Sequence, residues 1–267
     1  MTNSLFDMTG RVALVSGAAQ NLGRNSALAL AEAGADLLLA DINGAGVEKT
    51  AAEIRELGRR ALAMTCDVTD EAQIRAMFRR LDDEFGRIDV CANIPGAAVG
   101  GHPEDLPVEN LLKTLQGTLV GKFICCQEAG RRMLAQGKGS IINMSSIAGI
   151  RAVGRAHLPY SVAQAGVIQM TRELAVDWGE RGVRINAIAP AQITNPAFEV
   201  RMDNTPGLRE TYLRGIPLRR LGVPEDIRGL IVFLASDASA FITGAVFPLD
   251  GGNTALGANG TIGHREA

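Results

Sequence analysis

The chain is expected to fold as one α/β domain around a parallel sheet of about seven strands, with helices on both faces. Three features of its pattern predict this. Apolar runs of strand length alternate with amphipathic helix-length stretches throughout. The runs are continuously apolar, as strands covered on both faces require. A glycine-bearing turn joins the first run to the first helical stretch, the opening of a βαβ unit. The 267 residues suffice for one domain, 1–267, with a well-buried core. No repeat, linker or low-complexity stretch divides them.

Residues 11–16 read as the first strand and 22–33 as the first helix. Strand two is 36–41, followed by a helix over 44–57 and strand three at 61–65. Over 70–85, Ile74, Met77, Phe78 and Leu81 share one helical face. Strand four is 88–93. One long helix is predicted over 108–135, then strand five at 140–144. Helix 160–178, strand six at 183–189, helix 224–234 and a short strand at 245–249 complete the pattern. Two stretches break the rhythm: 94–107, rich in Gly, Pro and Ala, and 190–217, long and uneven. Both follow predicted strands, at the carboxyl ends where open α/β sheets bind ligands. The second is the expected substrate loop. From 251 the chain turns Gly-rich and polar. Its tail, 253–267, reads as a flexible end or as a cover for a neighbouring subunit's cleft.

Composition excludes several classes. Hydrophobic residues make up 46% and charged residues 21%, with a net charge of −2 and scattered Lys and Arg, so no nucleic-acid stripe is expected. No apolar run nears the roughly 20 residues that span a bilayer. The N-terminus carries no signal pattern. A cytoplasmic protein with no membrane partner is the expectation. Cys66, Cys91, Cys125 and Cys126 form no Cys-x-x-Cys pair and read as small buried hydrophobes. His102, His157 and His264 form no helical ligand pair, so no metal site is expected.

Gly17-Ala18-Ala19-Gln20-Asn21-Leu22-Gly23 lies between the first strand and its helix. Such a turn lets backbone N–H groups approach a pyrophosphate at a helix N-terminus. Asp41 ends strand two, where an acidic group accepts from the adenosine ribose. It would repel a 2′-phosphate, so NAD(H) is expected over NADP(H). Asn21 tolerates positive φ. Its side chain either donates to the phosphates or crowds them.

A second motif is Tyr160-Ser161-Val162-Ala163-Gln164, preceded by Asn143-Met144-Ser145-Ser146. Together the two motifs resemble the short-chain dehydrogenase/reductase family over nearly the whole chain, and the resemblance implies a Rossmann-like fold. It implies Asp67 and Val68 beside the adenine, Asn93 at the turn after strand four, and Pro190, Ile193 and Asn195 near the nicotinamide. Gln20, Asn21 and Leu22 would line the phosphate turn with Gly17 and Gly23. Tyr160 would be the general acid/base and Ser146 the substrate-oxygen partner. The family's lysine position holds Gln164, and its helix asparagine position, in Thr118-Leu119-Val120-Gly121, holds Thr118.

Without that lysine, Tyr160 lacks a fixed positive charge. Bringing a tyrosine from about 10 to about 7 needs roughly 4 kcal/mol of phenolate stabilisation. A neutral amide cannot supply a charge, although it still bonds ribose hydroxyls. Lys122 shares a helical face with Thr118, and Arg151, Arg155 and His157 lie before Tyr160. His157 is the first candidate for a replacement base. The expected activity is NAD(H)-dependent interconversion of a secondary alcohol and a ketone. The alternatives are a non-redox enzyme on the same fold (a lyase, isomerase or dehalogenase) and a catalytically silent NAD-binding or structural subunit. The resemblance also implies a homodimer or homotetramer acting on a small molecule. Arg201, Arg209 and Arg214 in the substrate loop suit an anionic substrate, or are simply solvated.

Overall fold

The computed structural model describes residues 4–96, 99–154 and 156–256. Arg155, His264 and the tail beyond residue 256 lie outside the described residues. Seven strands form one sheet: β1 (Val12–Ser16), β2 (Asp36–Asp41), β3 (Ala61–Thr65), β4 (Val90–Asn93), β5 (Gly139–Met144), β6 (Val183–Pro190) and β7 (Val246–Leu249). Their order is β3-β2-β1-β4-β5-β6-β7, and every pair is parallel. Strand order reverses between β1 and β4. The crevice at that reversal is where a ligand fits between carboxyl ends.

The period-2 alternation of the strands feeds two cores. Ala13, Val15, Leu37, Leu39 and Ile142 face helices α1 (Asn21–Glu32), α2 (Gly44–Glu56) and α9 (Arg228–Ala235). Leu14, Leu38, Cys91, Ile141 and Ile185 face α3 (Glu71–Phe85), α5 (Gly121–Gln136) and α6 (Leu158–Gly179). Helix α4 (Val108–Leu115) packs against α6. All four cysteines are free and buried, as apolar packing predicts. Among the described residues, no helix is long and apolar enough to cross a membrane.

Local chemistry sets the boundaries. Asp70 is the N-cap of α3, its carboxylate accepting from Ala72 and Gln73 N–H groups, and Gly86 ends the helix at φ 68°. Strand β4 begins at Val90 rather than 88, because the Asp89 carboxylate takes the Val12 N–H at 2.8 Å.

Three expectations need correction. The predicted helix over 108–135 contains a π turn at Gln116–Val120, which separates α4 from α5. The extra residue falls beside Gly121, where a Cβ would sit 2.3 Å from the Val68 carbonyl. The helix over 224–234 is a 3-10 turn, Pro224–Ile227, continuing into α9. The loop over 190–217 holds two helices, α7 (Pro196–Asp203) and α8 (Leu208–Arg214). Asn195 caps α7 by accepting from Phe198 N–H, and Met202, Tyr212, Ile216 and Leu221 give the segment its own small core.

Candidate active site

A cleft of about 470 Å³ opens at the β1–β4 reversal. It is lined by Gly17, Gln20, Asn21, Leu22, Gly23 and Asp41 on one side and by Ser146, Tyr160, Gln164, Pro190, Ile193 and Asn195 on the other. A second hollow of about 270 Å³ shares Gly17, Asp41, Pro95 and Gly96 with it and adds Asp67 and Val68. The two form one groove across the sheet edge.

The nucleotide end is built by backbone. Gly17 has φ 75° and donates to the Ala40 carbonyl at 2.7 Å, which folds the turn back over β2. Gly23 packs so close that a Cβ would lie 1.8 Å from the Gly17 carbonyl oxygen. Asn21 sits at φ 49°, so the turn forms with asparagine at that position. Helix α1 starts with no side-chain cap, leaving its first N–H groups toward the cleft. Asp41 accepts from Ala19 N–H at 3.0 Å with one oxygen and from Asn43 N–H at 2.9 Å with the other. That fixes its carboxylate at the mouth of the turn.

The reaction end is built by side chains on β5 and α6. Pro159 lies in the first turn of α6, and Tyr160 and Gln164 share one face a turn apart. Ser146 follows β5 and caps a short 3-10 turn, Ile147–Gly149. A Cβ on Gly149 would lie 2.6 Å from the Gln164 backbone carbon, so glycine lets this turn lie directly on α6. The Ser145 hydroxyl donates to the Gln164 carbonyl at 3.0 Å and fastens the two elements. These contacts bring Ser146 beside Tyr160. Burial pushes the Tyr160 hydroxyl above its ordinary value, while hydrogen bonds from Gln164 and Ser146 pull the other way and only partly offset it.

Gln164 is 2% exposed, and its Oε1 is a buried acceptor with no partner among the described residues. Its Nε2 and the Thr118 side chain each come within 3.6 Å of where a Cβ on Gly96 would stand. Thr118 is fully buried in the π turn, behind that point. His157 packs edge-on against the Tyr160 ring, with centroids 6.1 Å apart, and does not line the cleft. Asn93 does not line it either. Its amide is buried under the floor, donating to Asn143 at 2.9 Å. Arg209, one of three loop arginines, pairs with Glu199 at 2.6 Å, so its charge is answered within the loop. Sequence reading missed Ser145, Thr194 and Gly117 as lining or fastening residues; Ser145 sat in the motif, while the other two carry no local signal. Among the described residues, no cluster of His, Cys, Asp or Glu could hold a metal ion.

A family model described as enoyl-(acyl carrier protein) reductase, of the short-chain dehydrogenase type, matches residues 17–254. A D-threitol dehydrogenase from Mycolicibacterium smegmatis is 38% identical over 93% of this chain and 95% of its own. The chain belongs to the short-chain dehydrogenase/reductase family. As a short-chain dehydrogenase/reductase it is an oxidoreductase, and members of this family bind a nicotinamide cofactor. An NAD-dependent glycerol dehydrogenase from Listeria innocua is 35% identical, over 93% of this chain and 96% of that one. The solved structure of an NAD+-bound xylitol dehydrogenase superimposes with a TM-score of 0.85 at 29% identity, covering 91% of this chain and 98% of that one.

Proposed function

We propose that this short-chain dehydrogenase/reductase is an NAD(H)-dependent enzyme interconverting a small secondary alcohol, of polyol type, and its ketone. The observation that carries the reading is the unpartnered Gln164 Oε1, buried one helical turn from Tyr160 in a groove that the glycine turn closes. An isolated buried acceptor costs about 1–3 kcal/mol, and a ribose hydroxyl satisfies it. Gly17 turns the backbone and Gly23 packs α1 against that turn, which aims the first N–H groups of α1 at a pyrophosphate. Asp41 suits a ribose diol and disfavours a 2′-phosphate. The names of the glycerol and xylitol dehydrogenases support both the cofactor and the substrate class.

Bound nicotinamide supplies a site that takes hydride from the alcohol carbon or returns it. The protein handles the proton. Ser146 hydrogen-bonds the reacting oxygen, and Tyr160 donates a proton to it in reduction or accepts one in oxidation. The upward push of burial keeps Tyr160 protonated near neutral pH. Ketone reduction is therefore the easier direction at neutral pH, and alcohol oxidation favours alkaline conditions. Gln164, at the position where the family pattern has lysine, holds the ribose and the Tyr160 hydroxyl without adding charge. Asn195 orients the carboxamide from the cap of α7. We place the active protein in the cytoplasm as a homodimer or homotetramer.

Calorimetric titration with NADH and NADPH tests the cofactor, followed by turnover with a panel of polyols and hydroxyketones. NADH binds at least about ten-fold more tightly than NADPH, a gap of about 1.4 kcal/mol. Asp41→Ser narrows that gap from the NADPH side. Equal binding of both by the unaltered protein would remove Asp41 from the specificity argument. NADH binding without consumption by any substrate would replace a dehydrogenase with a silent NAD-binding subunit.

A further inference from the structure

Lys122 is 3% exposed, on the second residue of α5, yet it pairs with no carboxylate among the described residues. Its ammonium donates to the Pro95 carbonyl and reaches the Thr118 carbonyl at 3.4 Å. An unpaired buried charge is expensive, and a chain that keeps one usually uses it. The place is informative. Pro95 and Gly96 share the peptide that this ammonium binds, and Gly96 faces Gln164 Nε2 and the Thr118 side chain. The charge thus lies immediately behind the wall of the cleft that Gln164 and Tyr160 line. α6 brings no cation into this cleft wall, whereas α5 brings one from behind.

We infer that Lys122 supplies from α5 the positive charge that α6 lacks at Gln164, favouring the Tyr160 phenolate and holding the Pro95–Gly96 peptide against the π turn. It acts through these groups rather than on the substrate, and is therefore a positioning residue. The inference rests on Tyr160 being the acid/base of the proposed reaction. Burial lowers the Lys122 ammonium to about 8, so it stays mostly charged at neutral pH. The ionisable groups facing it are the Cys125 and Cys126 thiols of its own helix. Cys66, beyond β3, and Cys91 of β4 pack in the same core. Burial pushes all four thiols upward, Cys66 to about 11 and Cys126 to about 12, so none titrates near pH 8. Glu128, further along α5, is already held by Arg75, Arg131 and Arg132.

A pH profile of alcohol oxidation separates this role from a structural one. In the unaltered enzyme the rate climbs with pH and its slope slackens between about pH 8 and 9. Above 8, phenolate with charged Lys122 and phenol with neutral Lys122 carry the same proton count, so their ratio stops changing until phenolate beside neutral Lys122 carries the rise on. Lys122→Gln keeps a donor for the Pro95 carbonyl but removes the charge. It runs about ten-fold slower at pH 7 and climbs without a break through pH 8. Gln164→Lys restores that rate when combined with Lys122→Gln. Alone it gives no gain, because two neighbouring ammonium groups oppose each other. A Lys122→Gln profile parallel to the original would overturn the inference, as would a ten-fold gain from Gln164→Lys alone. The latter decides the matter if the position-122 variants do not fold.

A second readout needs no turnover. The chain has two tyrosines, so Tyr212→Phe leaves Tyr160 as the sole tyrosinate signal. In that background Lys122→Arg, charged throughout, brings the tyrosinate midpoint about one pH unit below that of Lys122→Gln. Far-UV dichroism marks the range in which the fold is intact. Coincident midpoints would overturn the inference even in an active enzyme. Absence of turnover with every alcohol, alongside separated midpoints, would instead overturn the dehydrogenase reading.

Discussion

The two ends of the groove are made of different material. At the nucleotide end, backbone does the work: Gly17 turns at φ 75°, Gly23 packs against it, and both Asp41 oxygens are held by N–H groups. At the reaction end, side chains from three elements meet: Ser146 after β5, Tyr160 and Gln164 on α6, and Thr118 in the π turn. None of the four carries a fixed charge. The difference teaches that holding a dinucleotide and setting the strength of an acid are separable tasks on one sheet edge. The first depends on close approach, which a single methyl group would spoil. The second depends on electrostatics, which can be rearranged without moving the backbone.

The sharpest way to split the two ends is Tyr160→Phe. It removes the proton donor and leaves the nucleotide end untouched. Turnover should fall by roughly 10²–10⁴-fold, the usual range for a positioned acid/base. NADH affinity by calorimetry should stay within about three-fold, less than 1 kcal/mol. Retained turnover would move the proton to another group, with His157 next to Tyr160 as the first to try. Gly23→Ala is the converse cut. Its methyl group would stand 1.8 Å from a backbone oxygen, so the turn must shift. Overpacking of this kind costs about 1–3 kcal/mol. Urea unfolding should show that loss, together with weakened NADH binding. A variant as stable as the original would mean the turn is slacker than its geometry implies.

How much of this was legible in the sequence follows the same division. The sheet was legible because its strands are apolar on both faces, so residues 12–15 and 37–40 stood out as unbroken runs. Tyr160 and Gln164 were legible as a pair because four residues make one helical turn. The π turn was not, since one extra residue hardly disturbs the apolar spacing of a long helix. Helix α7 left a local signal in Asn195-Pro196, a cap followed by a first-turn proline, but its apolar face packs only on its own loop. Asn93 was named for the cofactor site because its turn after strand four resembles the family's. Its amide turns down instead, into bonds with Asn143 and Cys126. The Lys122–Pro95 contact joins residues 27 apart, which only tertiary packing reveals.

A smaller effect tests the electrostatics behind the reaction end. The Lys122 ammonium falls from 10.5 to about 8 on folding. Folded and unfolded chains both hold this proton below pH 8, and both lack it above 10.5. Between those limits the unfolded chain binds more protons, so this residue makes the protein more stable as pH rises. The gain is about 1.4 kcal/mol at pH 9. The raised thiols act in the opposite sense above their ordinary value of 9.0, which confines the clean window to pH 8–9. Urea unfolding at pH 7 and pH 9 should show the original protein gaining on Lys122→Met. Equal changes in the two proteins would mean that Lys122 keeps an ordinary ammonium inside the fold.

The smallest expected effect lies where the two ends meet the substrate loop. Asn195 lines the cleft and also caps α7, through its bond from Phe198 N–H at 3.0 Å. Asn195→Ala loses the cap, worth about 1 kcal/mol. Asn195→Asp keeps it, because a carboxylate accepts the same N–H and suits a helix N-terminus. If Asn195 matters only as a cap, Asp restores both loop order and turnover. If it also donates to the nicotinamide carboxamide, Asp restores order but not affinity, because a carboxylate has no N–H to give. Limited proteolysis of the loop and NADH calorimetry on the same two variants read these roles separately. Full recovery of NADH affinity in Asn195→Asp would confine Asn195 to the loop and leave cofactor binding to the nucleotide end and Gln164.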